Sequence, residues 1–379
     1  MNAWEQRKFG GIINRISKQS DSDSLPKVEF EDIVSGEGRL NKDITNKFDN
    51  RKGTVFEPEN ILYGKLRPYL KNWLYTDFKG IALGDFWVFE SISTVPIFNY
   101  YLIQAEKYQE VANMSTGTKM PRSDWKIVSE ADFSIPSNIK EQEKLGKFFS
   151  TLDTTITLHQ RKLEKMRELK KAYLQVMFPK EGERVPKLRF RGFEEKWEQF
   201  KLGSVLEKNT EKNKNLEFSN VESVSNKYGF VRQSEYFEDR EIASKDTSNY
   251  YVIRKGAFAY NPSRINVGSI GMKHDVNISI VSPLYVSFYP KLALNQMFLW
   301  NWFKVEEFEK QRQLLTAGGV RDTLSYEALR EMTISIPNEK EQEKIGELIN
   351  QIENSISMSQ KKLESLQLLK NAYLQKMFV

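Results

Sequence analysis

Two segments of the chain, residues 141–178 and 341–378, carry apolar residues at spacings that alternate between four and three. Eight of the ten stripe positions from Leu145 to Met177 are apolar or aromatic, and the same holds from Ile345 to Met377. Because this period is typical of a coiled-coil seam, each segment is predicted to form one long helix. At about 1.5 Å per residue such a helix would span roughly 57 Å, a length that suits a spacer.

The two helical segments are copies of each other. Aligned at an offset of 200 without gaps, they share 18 identities in 38 positions, including Gly146/Gly346 outside the stripe. A shorter echo relates Trp4–Gly10 to Trp197–Gly203. A globular segment followed by a long helix is therefore present twice. Residues 185–193, ahead of Trp197, have no counterpart in the first half.

The globular segments mix strand-like runs such as Val252–Tyr260 with shorter helical patterns. We therefore predict an α/β (α+β) fold with two globular domains in a pseudo-twofold repeat, separated by a pair of long antiparallel coiled-coil helices. The expected segments are a first globular domain at 1–138, the first long helix and linker at 139–180, a second globular domain at 181–338 and the second long helix at 339–379.

A further apolar set lies outside the stripe of each helix. These residues either cover more of the helix pair or receive helices of partner proteins, and we favour partner binding. The set consists of Phe148, Leu158, Leu169, Leu174 and Phe178 in the first helix and Leu348, Met358, Leu369, Leu374 and Phe378 in the second. For the main apolar stripes, which are expected to face each other, the competing interpretation is that each helix packs only on its own globular segment.

Composition excludes several classes of protein. There is no Cys and there are two His residues, His159 and His274, which excludes disulfides and Cys nucleophiles and argues against His-based triads and metal sites. No run of apolar residues is long enough to span a membrane, so we expect a cytoplasmic protein. The net charge is +6. Residues 139–180 contribute +5 of it, from 10 basic and 5 acidic residues.

Catalytic motifs are poor. Tyr260–Ser263 resembles the Asn-Pro-Pro-aromatic loop of adenine methyltransferases but lacks the second Pro and the aromatic residue. No GxxxxGK[ST] phosphate-binding loop is present. We therefore predict that the chain is not an enzyme, with no catalytic residue and no metal site.

Two pairs of polar loops are better candidates for function. Residues 63–71 and 260–269 each follow a predicted strand, and residues 115–122 and 317–323 end each globular segment. Arg, Lys and Asn side chains read base edges, while small residues approach phosphates. The candidate DNA-binding residues are Tyr63, Lys65, Arg67, Lys71, Thr118, Lys119 and Arg122 in the first half and Asn261, Ser263, Arg264, Asn266, Arg321 and Thr323 in the second. Each loop taken alone is also compatible with an ordinary surface turn.

The chain resembles the specificity (S) subunit of bacterial type I restriction–modification systems over essentially its whole length. The motifs that carry the resemblance are the paired EQEK…AYLQ-MF helices and the LYGKLRPYL and YNPSRINVGSIG loops. The resemblance implies two target recognition domains, each reading one half of a bipartite DNA site, with helices that set the spacer and dock two methyltransferase (M) subunits. Restriction (R) subunits would join that complex. S-adenosylmethionine, ATP and Mg²⁺ would act on the partner subunits, with no cofactor on this chain.

Since the two globular segments share little sequence, we expect an asymmetric target. Two alternatives remain open: a self-contained DNA methyltransferase or nuclease, and a coiled-coil scaffold without DNA contact. Binding of S-adenosylmethionine by the isolated chain would favour the first.

Overall fold

The computed structural model describes residues 4–45, 47, 50–114, 120–226, 229–233, 246–291, 293–316 and 323–378. The chain divides into two units. The first comprises Met1–Lys162 with Ser359–Val379, and the second comprises Leu163–Met358. Each unit therefore takes in one globular segment and parts of both long helices.

In its described residues, the first unit combines two antiparallel sheets and one mixed sheet with short helices. Its strands are β1 (Trp4–Lys8), β2 (Ile13–Ile16), β3 (Gln19–Ser20), β4 (Lys27–Val28), β5 (Gly53–Phe56), β6 (Ile61–Gly64), β7 (Trp73–Tyr75), β8 (Gly80–Ala82), β9 (Phe86–Ser91) and β10 (Asp132–Pro136). Its short helices are α1 (Pro96–Leu102), α2 (Glu106–Ala112) and α3 (Trp125–Glu130). The sheets have the orders β2-β9-β6-β7, β3-β5-β8-β4 and β1-β10, and in the second of them β4 pairs with β8 in parallel.

The central strands β6 and β9 of the first unit carry apolar residues on both faces, at 61–63 and 86–89, because both faces are covered there. In β9, Trp87 and Phe89 face a core shared with the short helices, whereas Phe86 and Val88 face a second core against the other sheet. Phe9 lies at the centre of the first core and is fully buried. Its ring packs 5.0–5.7 Å from those of Tyr108, Phe89 and Phe133, measured between centroids. Large aromatic side chains of this kind each bury about 150–250 Å² on folding.

The second unit repeats this plan. Its strands are β11 (Glu198–Lys201), β12 (Leu206–Lys208), β13 (Glu222–Ser225), β14 (Gly229–Arg232), β15 (Tyr251–Ile253), β16 (Phe258–Tyr260), β17 (Ile270–Met272), β18 (Ser279–Val281), β19 (Val286–Pro290) and β20 (Thr333–Ile336). Its short helices are α5 (Leu202–Val205), α6 (Gln296–Trp302), α7 (Glu306–Thr316) and α8 (Tyr326–Glu331). The sheet order β12-β19-β16-β17 repeats β2-β9-β6-β7, and β11-β20 repeats β1-β10.

The two long helices are α4 (Ile139–Val176) and α9 (Glu339–Met377), which confirms the helical prediction. In the first unit, Asp153 Oδ1 of α4 lies 2.7 Å from Lys370 Nζ of α9. The rings of Phe149 and Phe378 lie 5.7 Å apart in the same unit, so the helix segments run antiparallel there.

An equivalent ion pair joins the helices in the second unit. Lys170 Nζ of α4 lies 2.5 Å from Glu353 Oε1 of α9. Lys170 and Lys370 are equivalent positions of the sequence repeat, and so are Asp153 and Glu353. Each unit therefore contains one copy of the same interhelical ion pair.

The helix identities outside the apolar stripe have a packing explanation. Gln142 accepts a hydrogen bond from Val95 N (2.9 Å) and donates one to Pro136 O (2.8 Å). Its equivalent, Gln342, accepts from Asn295 N (2.8 Å) and donates to Pro337 O (2.9 Å). Both amides are buried, and each fastens the first turn of a long helix to the preceding strand and to a short helix.

The paired glycines allow close contact between helices. A Cβ atom added at Gly146 would lie 2.5 Å from Ile97 Cγ2, and one at Gly346 would lie 2.9 Å from Met297 Cβ. Both distances are shorter than any side chain tolerates without a shift, so these positions select glycine by packing.

Residues 185–193 pack against the start of α9 in the second unit. Arg189 donates from Nε and Nη2 to the buried carboxylate of Glu341, at 2.8 and 2.7 Å. Trp197 is fully buried, whereas its equivalent Trp4 is 38% exposed. Residues 185–193 therefore contribute a bidentate ion pair to the second unit.

The structure corrects part of the predicted partner-binding set. Four of its members are at most 8% exposed and pack into the cores of the units, and for these the prediction was wrong: Leu174, Phe178, Leu374 and Phe378. Leu174 and Leu374 lie in the last turn of a long helix, and Phe178 and Phe378 follow it, where the chain meets a globular core. Leu348 is half-buried against the core of the second unit. Five members are at least 41% exposed: Phe148, Leu158, Leu169, Met358 and Leu369.

Candidate nucleic-acid interface

Two loops of the first unit that are far apart in sequence lie side by side. Arg67 N donates to Pro121 O at 2.8 Å, and Ser123 N donates to Lys65 O at 2.9 Å. The loop between β6 and β7 is therefore paired with the segment that leads into α3. The sequence analysis selected both segments independently, and the backbone brings Lys65, Arg67 and Arg122 together.

Asp85, in the turn before β9, orients two of these cations. Arg122 Nη2 lies 2.9 Å and Lys65 Nζ 3.7 Å from its carboxylate. The Arg122 side chain remains 58% exposed and that of Lys65 31% exposed. Ion pairs at such exposure stabilise the fold by about 0–1 kcal/mol, so both cations stay available for a phosphate or a base.

The tip of the β6–β7 loop is a short 3₁₀ helix, Pro68–Leu70, held between two residues in left-handed conformation. Arg67 has φ 50° and Lys71 has φ 54°, which costs a side-chain-bearing residue about 1–2 kcal/mol. The turn is fixed from below, because Gly36 N donates to Lys71 O at 2.9 Å and Ser35 Oγ donates to Leu70 O. Tyr69 and Leu70 are 55% and 40% exposed.

The second unit builds the same loop between β16 and β17. Leu324 N donates to Pro262 O at 3.1 Å, and Asn261 N donates to Ser269 O at 3.0 Å. Asn261 Oδ1 accepts a hydrogen bond from Ser263 N at 3.1 Å, which closes the turn locally. A 3₁₀ helix, Ile265–Val267, again forms the tip, and the residue after it, Gly268, has φ 83°.

The hydrogen bonds define the correspondence between the two loops. Ser123 N to Lys65 O in the first unit matches Leu324 N to Pro262 O in the second. The loops are therefore related by an offset of 197, compared with 200 for the helices. The equivalent pairs are Tyr63 and Tyr260, Arg67 and Arg264, Tyr69 and Asn266, Leu70 and Val267, and Lys71 and Gly268.

A cavity of about 140 Å³ adjoins the loop of the second unit. Its wall includes Asn261, Arg264 and Ser269 from the loop and Ser223 and Tyr285 from outside it. Residues with hydroxyl, amide and guanidinium groups thus line one small recess, which is suited to a ligand that forms hydrogen bonds.

Comparison with known proteins shows the family of this chain. Residues 1–168 and 194–368 each match the model of the type I restriction modification DNA specificity domain. The chain belongs to this family. Because the match occurs twice, at the two repeats seen in the sequence, both halves are specificity domains.

Individual relatives are distant. The type I restriction enzyme MjaVIII specificity subunit of Methanocaldococcus jannaschii is 24% identical over 284 residues, which cover 70% of this chain and 66% of that protein. The S subunit of the type I restriction–modification system of M. genitalium has a TM-score of 0.61 at 15% identity, covering 100% of this chain and 96% of that chain. A chain from a study of type I R-M complex assembly and conformational transition has a TM-score of 0.53 at 16% identity, covering 98% of this chain and 96% of that one. The solved structures show that the fold is shared along the whole chain.

Most of the predicted DNA-binding residues of this specificity-family chain lie on exposed loops. Arg67, Lys71 and Arg122 of the first domain and Ser263, Arg264, Asn266 and Thr323 of the second are exposed, while Lys65 and Asn261 are half-buried. Thr118, Lys119 and Arg321 lie outside the described residues.

Tyr63 is the one described candidate that the fold removes from the surface. Its side chain is fully buried in β6 and stacks on Trp87 and Phe89 at 6.1 Å between ring centroids. Burial raises the pKa of its hydroxyl far above the usual range. The DNA-binding prediction for Tyr63 is therefore wrong. Its equivalent, Tyr260, is buried as well and donates from its hydroxyl to Leu324 O at 3.1 Å.

The predicted DNA-binding residues do not include the exposed residues at the loop tips. Tyr69 and Leu70 belong to the LYGKLRPYL motif but are not among the predicted contacts, and neither is Val267, which is 53% exposed. The available signal was an aromatic residue between two cations in Arg-Pro-Tyr-Leu-Lys.

Among the helices of the described residues, none combines the length and the apolar character that a membrane span requires.

Proposed function

We propose that this chain is the DNA-recognition subunit of a type I restriction–modification complex in the cytoplasm, and that each unit reads one half of a bipartite, asymmetric target. The observation that carries the proposal is the pair of equivalent loops. Each loop carries an exposed Arg at the equivalent position after the equivalent strand of its own unit, yet the loop tips differ in sequence. Equivalent scaffolds with different tips are what two unlike half-sites require.

We further propose that the exposed apolar residues of the long helices dock two methyltransferase subunits. Leu158 and Met358 are equivalent, as are Leu169 and Leu369, and all four are at least 43% exposed. The first unit holds Leu158 and Leu369, and the second holds Met358 and Leu169. Each unit thus offers one copy of the same pair, which matches two copies of one partner. Restriction subunits would join through the complex. S-adenosylmethionine, ATP and Mg²⁺ would act on the partner subunits, and the chain itself performs no catalysis.

The test is methylome sequencing of a host that carries this chain with its methyltransferase subunit. Wild type should methylate a bipartite motif. Arg67→Ala should relax or weaken one half of the motif and Arg264→Ala the other, each by about 1–3 kcal/mol if the Arg reads a base. Arg7→Ala, at an exposed Arg in β1, serves as the control and should leave the motif unchanged.

Two outcomes would contradict the proposal. Methylation by the chain alone, with S-adenosylmethionine bound to it, would indicate an enzyme. A motif that neither Arg67→Ala nor Arg264→Ala alters would place DNA reading away from these loops.

A further inference from the structure

The tip of the first recognition loop presents apolar surface that the fold leaves uncovered. Tyr69 is 55% exposed and Leu70 is 40% exposed. Among the described residues, none forms a hydrogen bond or a ring contact with the Tyr69 side chain. The backbone below the two residues is nevertheless held by Ser35 and Gly36. The Tyr69 side chain is thus exposed on a turn whose backbone is held by hydrogen bonds.

The backbone strain of this tip also indicates a binding site. Arg67 and Lys71 both adopt left-handed conformations, although the equivalent of Lys71 in the second unit is a glycine, Gly268. Strain kept at a side-chain-bearing residue is typical of binding sites, where the surrounding structure holds it in place. In this loop the strained residues are the two cations that flank Tyr69 and Leu70.

The second unit places a different pair at the same position. Asn266 and Val267 occupy the tip of its 3₁₀ helix, and Val267 is 53% exposed. The two tips therefore share a position and an exposed apolar residue, but one carries a phenol and the other a carboxamide. A carboxamide pairs with adenine through two hydrogen bonds, whereas aromatic and aliphatic side chains contact a thymine methyl.

On the basis of the proposed function, we propose that Tyr69, next to Leu70 in the 3₁₀ helix, is a base-contacting specificity residue of the first recognition domain, and that Asn266 holds the equivalent place in the second. Tyr69 contacts the apolar edge of a base, Arg67 beside it contacts the same half-site, and Lys71 faces the phosphates. Specificity of each half-site then depends on the loop tip together with its Arg, and the phosphate contacts supply affinity that is common to all sequences.

The experiment uses the complex of this chain with its methyltransferase subunits. Tyr69→Ala and Tyr69→Asn, which installs the residue of the second tip, are compared with wild type. Binding is measured on duplexes that carry the methylome-defined site, the site with its first half scrambled, or the site with its second half scrambled. Ile92→Ala changes another exposed apolar residue of the same unit, 59% exposed, and is the matched control.

Tyr69→Ala should lose roughly tenfold or more of the affinity for the intact site and little for the duplex with the first half scrambled. The slope of affinity against salt should stay unchanged, because no charge is removed. Tyr69→Asn should alter the base preference of the first half-site only. Retained reading of the second half-site reports that each variant is folded and assembled.

An unchanged ratio between the intact and first-half-scrambled sites in both variants would overturn the inference, as would an equal loss on all duplexes. If wild type recognises no bipartite site, the proposed function itself fails and this inference with it.

Discussion

At the residue scale, Lys304 shows how one side chain differs between the two repeats. It lies in the second unit, 2.6 Å from Glu353 Oε1, with its ammonium 4.2 Å from the centroid of the Trp300 ring. Burial lowers its pKa to about 8; Glu353 opposes the shift and Lys170 adds to it. His274 also faces this cluster, and burial lowers its pKa. The equivalent residue in the first unit is a neutral Gln104, which accepts a hydrogen bond from Lys370 Nζ at 3.0 Å.

Lys304 should make the stability of the second unit depend on pH in the alkaline range. Because the pKa is lower in the folded than in the unfolded state, the unfolded state binds the proton more tightly between about pH 8 and the usual lysine value near 10.4. The free energy of unfolding should therefore rise with pH across this window relative to the Lys304→Gln variant. Below pH 8 the difference between the two proteins should be constant. Urea unfolding followed by tryptophan fluorescence at several pH values measures it.

Lys304→Arg is the matched control, since an arginine stays charged throughout the window. A difference between wild type and Lys304→Gln that is flat from pH 8 to pH 10 would contradict the assigned shift.

At the scale of the elements, the interhelical ion pairs set which residues of α4 and α9 oppose each other. Asp153 is 24% exposed and Lys370 is 11% exposed, and Asp153 also accepts a hydrogen bond from Tyr101 Oη at 3.0 Å. A partly buried, hydrogen-bonded pair of this kind is specific in geometry because each charge depends on the other for compensation. The apolar stripe alone would tolerate a shift by one heptad.

A double-mutant cycle should show this coupling in the first unit. Asp153→Asn and Lys370→Gln should each destabilise the chain by about 2 kcal/mol, since each leaves the partner charge uncompensated in a partly buried place. The double variant should cost less than the sum of the two, and the difference is the coupling free energy. Denaturant unfolding of all four proteins provides the measurement.

The exposed pair Lys8–Glu130 in the same unit is the control, with side chains 58% and 63% exposed. Its coupling should be about 0.2–1 kcal/mol. Equal coupling in the two cycles would show that the interhelical pair is an ordinary surface pair.

At the scale of the whole molecule, the proposed function gives the long helices a measurable role as a ruler between half-sites. The ion pairs lie on either side of residues 161–162 in α4 and 361–362 in α9. Four residues inserted after both Arg161 and Lys361 should keep each pair intact. The insertion adds roughly 6 Å and about 400° of rotation, close to one full turn.

Methylome sequencing of this matched insertion should show a spacer longer by about one or two base pairs, at about 3.4 Å each, with both half-sites unchanged. An insertion in α4 alone should prevent assembly, because Asp153–Lys370 and Lys170–Glu353 could not then form together. A matched variant with the original spacer would show that the helices do not measure it, and altered half-site bases would show that they take part in reading.

The sequence by itself determined the features that depend on local pattern and on repetition. The period of the apolar residues specifies α4 and α9, since a seam of this kind needs no distant partner to be recognised. The offset of 200 specifies the duplication. Polar, Gly-bearing loops after strand-like runs identified Arg67 and Arg264, because exposed cations at a turn are visible without a fold. The helices and the duplication are confirmed, and both Arg residues lie on exposed loops, although their contact with DNA stays a prediction. Each of these features can be inferred from one segment, or from the likeness of two segments, without knowing what they pack against.

Only the tertiary structure decided which of those residues reach the surface. Tyr63 and Phe178 belong to the same motifs as residues that are exposed, such as Tyr69 and Phe148, yet packing against distant segments buries them. The pairing of Lys65 with Ser123, 58 residues apart, and the bond from Arg189 to Glu341, 152 residues apart, arise when distant segments close on one core. Burial is a property of the packed whole. A pattern along the chain can therefore predict an element and its faces but not what will cover them.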